Sequence, residues 1–181
     1  MKDLSLHILD IVQNSIRAGA RNVGIDIRED TRANTYGITI KDDGCGMDAE
    51  AVKRVTDPYF TSRTSRHVGL GIPLFLQNAQ QTGGDLQIES VPGKGTRIKA
   101  VFVHDNIDRP PLGDMPGVLM MLIGSNPAIE FSYRHSKNGQ EYLFDTREVK
   151  EALDGMSLEE YQVRKYLKEM IQENLQELNA L

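Results

Sequence analysis

The chain has 181 residues, with 21 Lys and Arg against 26 Asp and Glu, which gives a formal net charge of −5. This length suits one domain, or one domain with a small appendage. A composition with 39% hydrophobic and 26% charged residues excludes a wholly disordered chain. The single cysteine excludes an internal disulfide and a cysteine-based zinc site. No apolar run approaches the roughly 20 residues that cross a bilayer, so we expect a cytoplasmic protein with no membrane segment.

Charge divides unevenly along the chain. Residues 1–104 carry 13 basic and 12 acidic side chains, whereas residues 105–181 carry 8 and 14, a net charge of −6. With no Trp, 6% aromatic residues and no basic stripe, we expect no nucleic-acid partner. A proline-bearing segment at 108–112 marks the change in composition. It predicts a first domain over 1–104 and an acidic α+β extension over 105–181 that packs on it.

The first hundred residues predict three helices and two pairs of strands. Apolar residues at helical spacing indicate a helix over 3–18, and Asp48 is placed to cap a short helix that ends near Val55. The segment 57–66 is polar, basic and without period, which is typical of a mobile loop. A further helix begins at Gly69-Leu-Gly71 and stops at Gly83. Strands are predicted over 22–28, 36–41, 86–91 and 96–103, with a tight turn at 92–95.

The remainder predicts a helix, a hairpin and two helices. The first helix covers 114–124, and the hairpin over 128–145 turns at 137–139. A helix capped by Thr146 follows, and a longer one runs over 158–178. Its apolar stripe is formed by Leu158, Tyr161, Tyr166, Leu167, Met170, Ile171, Leu175 and Leu178. Such a stripe packs on its own domain more often than on a partner, and a homodimer role is the alternative.

Three polar residues converge on one face of the first helix. Asp10, Asn14 and Arg17 are spaced i, i+4 and i+7, which places them within roughly 60° of arc. Alone, such a line is usually a solvated surface. His7 lies one turn earlier and is predicted to be a surface histidine, with a catalytic role as the alternative. Cys45 is predicted to fill the inside of a turn.

Glycine-rich segments recur where strands and helices meet. One strand ends in Asp42-Asp-Gly44-Cys-Gly46, a helix begins at Gly69-Leu70-Gly71, and another strand begins at Gly93-Lys-Gly95-Thr96. Each could alone be a turn or a site of close packing. Neither a P-loop nor the Gly-x-Gly-x-x-Gly fingerprint occurs. Together they describe a nucleotide pocket without a Walker loop.

These motifs resemble those of the histidine-kinase-like ATPase superfamily, the GHKL or Bergerat fold. The N box corresponds to 10–20, the G1 box to 42–46, the G2 box to 69–71 and the G3 turn to 93–96, and 57–61 is similar to the kinase F box. The resemblance covers residues 4–103. It implies an α/β two-layer sandwich with a mixed, largely antiparallel sheet and helices on one face, here followed by a C-terminal helix-hairpin-helix extension.

The resemblance also implies ATP and Mg²⁺ as ligands. Asn14 would hold Mg²⁺, and Arg17 would reach a phosphate oxygen. Asp42 would accept a hydrogen bond from the adenine amino group, with Thr96 assisting through its hydroxyl. Two further groups of residues would act through the backbone. Gly44 and Gly46 would let the main chain approach the base closely. Gly69, Leu70 and Gly71 would present backbone N–H groups to the phosphates.

One residue departs from the family pattern. Efficient ATPases of the family carry Glu four residues before the magnesium asparagine, where it acts as general base, and here Asp10 stands at that position. Because a base displaced by ~1 Å can lose a factor of ~100, we expect slow hydrolysis. His67 also replaces the glycine that kinases have two residues before Gly-Leu-Gly.

Three functions agree with the motifs. The first is a stand-alone kinase-type domain that transfers the γ-phosphoryl group of ATP to a separate protein, because the N box begins too early for a preceding phosphoacceptor hairpin. The second is an ATP-driven conformational switch that signals to an unidentified protein partner. The third is a module that holds ATP without turnover.

Overall fold

The computed structural model describes residues 2–56 and 71–181. The helices are α1 (Leu4–Arg17), α2 (Ala49–Thr56), α3 (Gly71–Gln81), α4 (Met115–Ser125), α5 (Thr146–Ala152) and α6 (Tyr161–Glu177). The strands are β1 (Asn22–Asp30), β2 (Thr35–Asp42), β3 (Asp85–Val91), β4 (Gly95–Val103), β5 (Glu130–Lys137) and β6 (Gln140–Asp145). Within these ranges, no helix combines the length and the apolar character needed to cross a bilayer.

The strands form one six-stranded sheet in the order β3-β4-β2-β1-β5-β6. Four of the five neighbouring pairs are antiparallel, and β1 with β5 is the parallel pair. The prediction of a mixed, largely antiparallel sheet is therefore confirmed. The parallel pairing adds the β5-β6 hairpin to the edge of the sheet at β1. In this register Ile25 of β1 lies opposite Tyr133 of β5.

One face of the sheet carries the hydrophobic core. Alternate residues of each strand are buried there, as a pleated strand requires when one side is covered. In β1 these are Val23, Ile25 and Ile27, and in β2 they are Tyr36, Ile38 and Ile40. α1 contacts β2, and α3 contacts β3 and β4. The arrangement is the expected two-layer α/β sandwich with helices on one face.

The extension supplies two helices to the same layer. α4 contacts both α1 and α6, and it is apolar around most of its surface, as expected for a helix between two others. α6 buries the face formed by Val163, Leu167, Ile171 and Leu175. Tyr161 and Tyr166, predicted within its apolar stripe, are 71% and 66% exposed. Leu167, Ile171 and Leu175 belong to the predicted stripe and are buried, so the prediction is wrong only for the two tyrosines and for the omission of Val163.

Most predicted boundaries lie within a few residues of the observed ones, but one cap was assigned to the wrong residue. α5 is capped by Asp145, whose Oδ1 accepts from the Arg147 amide at 2.8 Å. Thr146 is the first helical residue. Its hydroxyl donates to Glu130 and accepts from the Phe131 amide, so Thr146 ties the helix to β5 instead of capping it.

Candidate functional site

Asp42 is the last residue of β2 and lies on the helix-covered face of the sheet, where it is 8% exposed. The strand register places Thr96 of β4 directly opposite it, and Ser90 of β3 opposite Thr96. Two polar residues of one hairpin and Asp42, which is 54 residues from Thr96, thus form one row across three strands. We call Ser90, Thr96 and Asp42 the polar row.

The Asp42 carboxylate is held from three sides. The hydroxyl of Ser15 donates to Oδ2 at 2.5 Å, and the amides of Gly44 and Thr96 donate to Oδ1 at 2.9 and 3.2 Å. A buried ionised carboxylate needs such donors because it can only accept hydrogen bonds. The side chain is therefore held in one orientation, and Oδ2, which accepts from Ser15, keeps a second lone pair.

The glycine turn after Asp42 packs too tightly for side chains. Gly46 has φ of +67°, and a Cβ there would lie 2.1 Å from the carbonyl oxygen of Val91. A Cβ on Gly44 would lie 3.0 Å from both Cβ and O of Ala18. Cys45 between them is exposed, so the prediction that it fills the turn is wrong. Its amide donates to the Ala18 carbonyl, which fixes the turn to the end of α1.

A cavity of about 230 Å³ opens beside Asp42. Its polar lining includes Asn14, Arg17, Asp42 and Thr96, together with the backbone of the glycine turn. Its apolar lining is Ile11, Met47, Val55, Ile72 and Ile98. Apolar walls with one oriented acceptor suit a flat heterocycle that bears an amino group, and a cation near the entrance suits an attached anion.

The three polar residues on one face of α1 lie at two different places. Asn14 and Arg17 line the cavity, and Arg17 Nη1 donates to Asn14 Oδ1 at 3.4 Å. Asp10 instead lies against the beginning of α3, where a Cβ on Gly71 would come within 3.3 Å of its Oδ2. Among the described residues, Asp10 is not part of the cavity lining. Gly71 is the buried first residue of α3.

Some predicted site residues lie outside the described ranges. Gly69 and Leu70, which with Gly71 form the G2 box, belong to the segment 57–70. The predicted mobile loop over 57–66 and His67 belong to it too. Their predicted roles therefore stay predictions.

His7 is completely buried, so the prediction of a surface histidine is wrong. Its ring stacks on Phe75 with centroids 5.1 Å apart, and Nε2 accepts from the Asn78 amide at 2.6 Å. Burial lowers the pKa of His7 to about 4. A neutral imidazole packed between α1 and α3 agrees with a structural role.

The sequence did not single out Ser15 or Ser90. Ser15 is one of the buried residues of α1, and its position in the sequence is typical of a small residue on the packed face. The neighbouring residues in the sequence do not indicate that it contacts Asp42. Ser90 is opposite Thr96 because the turn after Val91 sets the register of the hairpin. Counting residues back from that turn would have found the pair.

Comparison with known proteins identifies the domain. Residues 2–106 match the family described as "Histidine kinase-, DNA gyrase B-, and HSP90-like ATPase". The chain is 37% identical over 97 residues to a sensor protein of Shewanella frigidimarina (strain NCIMB 400). It is 33% identical over 96 residues to the signal transduction histidine-protein kinase AtoS of Escherichia coli (strain K12).

These alignments cover 52% of this chain in both cases, and the chain spans 15% and 16% of the two relatives. The fold also resembles that of the Aquifex aeolicus MutL ATPase domain complexed with ADP. The TM-score is 0.52 at 16% identity, over 85% of this chain and 70% of the other. Because the family match covers more than half of the residues, the chain belongs to the histidine kinase-, DNA gyrase B- and HSP90-like ATPase family.

Proposed function

We propose that the chain binds Mg-ATP in the cavity beside Asp42. The observation that carries this proposal is the buried, oriented Asp42 carboxylate, which faces the cavity from the end of β2. Oδ2 would accept a hydrogen bond from the 6-amino group of adenine, and guanine would present a carbonyl oxygen there instead. Thr96 would assist at the same edge of the ring. A Cβ on Gly44 or Gly46 would collide with Ala18 or Val91, so the glycines allow the tight turn whose backbone would approach the base.

The phosphates and the metal ion would lie toward the end of α1. Arg17 is exposed at that end and offers the donors that phosphate oxygens accept, and Gly69, Leu70 and Gly71 would add backbone N–H groups. The described residues include no group of three His, Cys, Asp or Glu that could hold a metal. A single amide ligand from Asn14 fits Mg²⁺, which keeps several waters and takes its other ligands from phosphates. The ion would neutralise phosphate charge.

We further propose that the chain transfers the γ-phosphoryl group of ATP to a separate protein. The 33% identity to a histidine-protein kinase supports this function. Residues 1–104 would form the ATP-binding domain, and 105–181 an acidic extension packed on it. The contact of α4 with α1 and the pairing of β5 with β1 support the packing, and the family match over residues 2–106 supports the boundary.

An ATP-driven switch is the second candidate, and the side chain of Asp10 favours it. Asp10 lies against Gly71, one of the residues proposed to hold the phosphates, but its side chain is one methylene shorter than that of Glu. The shorter reach weakens a general base for water. Slow turnover would let bound ATP hold one conformation long enough for a partner to detect it.

Calorimetry of ATP binding tests the pocket. Asp42→Asn removes the charged acceptor and should lower ATP affinity about tenfold to a hundredfold. Asp85→Asn is the matched control, because Asp85 is exposed on β3. Asn14→Ala should abolish the dependence of affinity on Mg²⁺, with Gln13→Ala as control on the same helix. Unchanged affinity and unchanged Mg²⁺ dependence in both site variants would show that the pocket is assigned wrongly.

A second experiment separates transfer from switching. The chain would be immobilised and incubated with a lysate of its source cells, with and without Mg-ATP, and then with γ-labelled ATP. Label on a retained protein, lost with Asp42→Asn, supports phosphoryl transfer. ATP-dependent retention without label supports the switch.

A further inference from the structure

Ser90 stands outside every motif of the sequence, yet it completes the polar row. It lies on β3 directly opposite Thr96, which in turn lies opposite Asp42. The Ser90 hydroxyl is 2.8 Å from the Thr96 hydroxyl. Ser90 is partly buried. Three groups lie within hydrogen-bond distance of its Oγ: the Met47 amide, the Thr96 hydroxyl and the Gly95 carbonyl.

The hydrogen bonds of Ser90 limit where its proton can point. The Met47 amide donates to Ser90 Oγ at 2.8 Å and so occupies one of its lone pairs. The proton of Ser90 then has two acceptors, the Thr96 hydroxyl at 2.8 Å and the Gly95 carbonyl at 3.1 Å. The shorter distance is the usual one for a bond between hydroxyls. When Ser90 donates to Thr96, the Thr96 proton is free for a ligand.

We propose that Ser90 is a positioning residue that sets the Thr96 hydroxyl as a hydrogen-bond donor toward N1 of adenine. The proposal rests on the proposed binding of ATP beside Asp42. Adenine offers a donor at its 6-amino group and an acceptor at N1, side by side. Asp42 can only accept, and the Thr96 hydroxyl beside it can donate, so together they match both atoms.

Calorimetry with ATP and 1-deaza-ATP, in which a C–H group replaces N1, tests this role. Ser90→Ala should lower ATP affinity about fivefold, the usual effect of one neutral hydrogen bond, and should leave 1-deaza-ATP affinity nearly unchanged. Ser90→Thr keeps the hydroxyl and should retain wild-type affinity for ATP. An equal loss of affinity for both nucleotides would mean that Ser90 acts only by accepting the hydrogen bond of the Met47 amide, and this result would overturn the proposal. No loss of affinity for either nucleotide would overturn it as well.

A second pair of variants tests the same role if Ser90→Ala is too unstable to measure. Ser90→Val and Ser90→Thr have the same shape, both suit a strand, and they differ in the hydroxyl. The ratio of ATP affinity to 1-deaza-ATP affinity should be about fivefold lower in the Val variant. Equal ratios would overturn the role of Ser90. A wild-type chain that binds neither nucleotide would instead overturn the proposed function, on which this role depends.

Discussion

Asp42 and Thr96 lie directly opposite each other on β2 and β4, and the Thr96 amide donates to Asp42 Oδ1 at 3.2 Å. The contact joins the G1 and G3 segments, which are more than fifty residues apart. It uses the backbone of Thr96, so the hydroxyl of the same residue stays available to Ser90 and to a ligand. The geometry of the candidate site therefore depends on the register of the sheet as much as on the motifs.

The two glycines Gly46 and Gly93 should differ in their tolerance of a side chain. Both have positive φ, which costs alanine about 1 kcal/mol. A Cβ on Gly46 would also lie 2.1 Å from the Val91 carbonyl oxygen, whereas a Cβ on Gly93 meets nothing within 4 Å. Gly46→Ala should lower the free energy of unfolding in urea by about 3 kcal/mol or more, and Gly93→Ala by about 1. Equal losses would contradict the tight packing of the turn.

Acid should weaken a buried ion-pair cluster at the far end of β1. Burial alone would raise the pKa of Glu29, but hydrogen bonds from His135 and His104 outweigh it and lower the pKa to about 2, from an ordinary value of 4.5. A lowered carboxyl pKa means that the stabilisation is complete above pH 4.5 and is lost as the pH falls to 2. The loss should be about 3 kcal/mol.

Urea unfolding of wild type and Glu29→Gln across this range measures the effect. The variant should be less stable at pH 7 and should lack most of the acid dependence. Glu89→Gln is the control, because Glu89 pairs with Arg97 on the exposed face and such pairs contribute little. A wild-type acid slope that persists in Glu29→Gln would assign the effect to other groups.

His7 should make stability depend on pH in a higher range. Its folded pKa of about 4 lies below the ordinary 6.5, so the unfolded chain takes up a proton first as the pH falls. Stability should therefore drop by about 2 to 3 kcal/mol between pH 6.5 and 4. His7→Gln keeps an acceptor for Asn78 and cannot titrate, so its stability should be flatter there. Identical slopes for the two proteins would refute a neutral buried imidazole.

ATP hydrolysis without a partner should be slow. Asp10 lies beside Gly71, but its side chain is one methylene shorter than that of Glu, and so short a base is poorly aligned to act on water. A coupled phosphate-release assay should detect little turnover, and Asp10→Asn should reduce it further while leaving ATP affinity within about twofold. Rapid release that survives Asp10→Asn would show that another group activates the water.

Local patterns predicted the elements whose signals are local. Helical spacing of apolar residues predicted α1, and turn residues with positive φ, such as Asn138 and Gly139, predicted the β5-β6 hairpin. The family motifs singled out Asn14, Arg17, Asp42 and Thr96, and these four residues line one cavity, while their roles toward a ligand stay predictions. These features depend on neighbours within a few residues, and a sequence records such neighbours directly.

Long-range packing decided the rest. The parallel pairing of β1 with β5 joins segments about one hundred residues apart, and no turn residue encodes it. His7 is buried because α3 covers it, and Ser15 and Ser90 matter because folding brings them to Asp42 and Thr96. The sequence alone determined the family and the motif residues. Only the tertiary structure decided which neighbours orient those residues, because hydrogen bonds across strands and helices depend on register and packing.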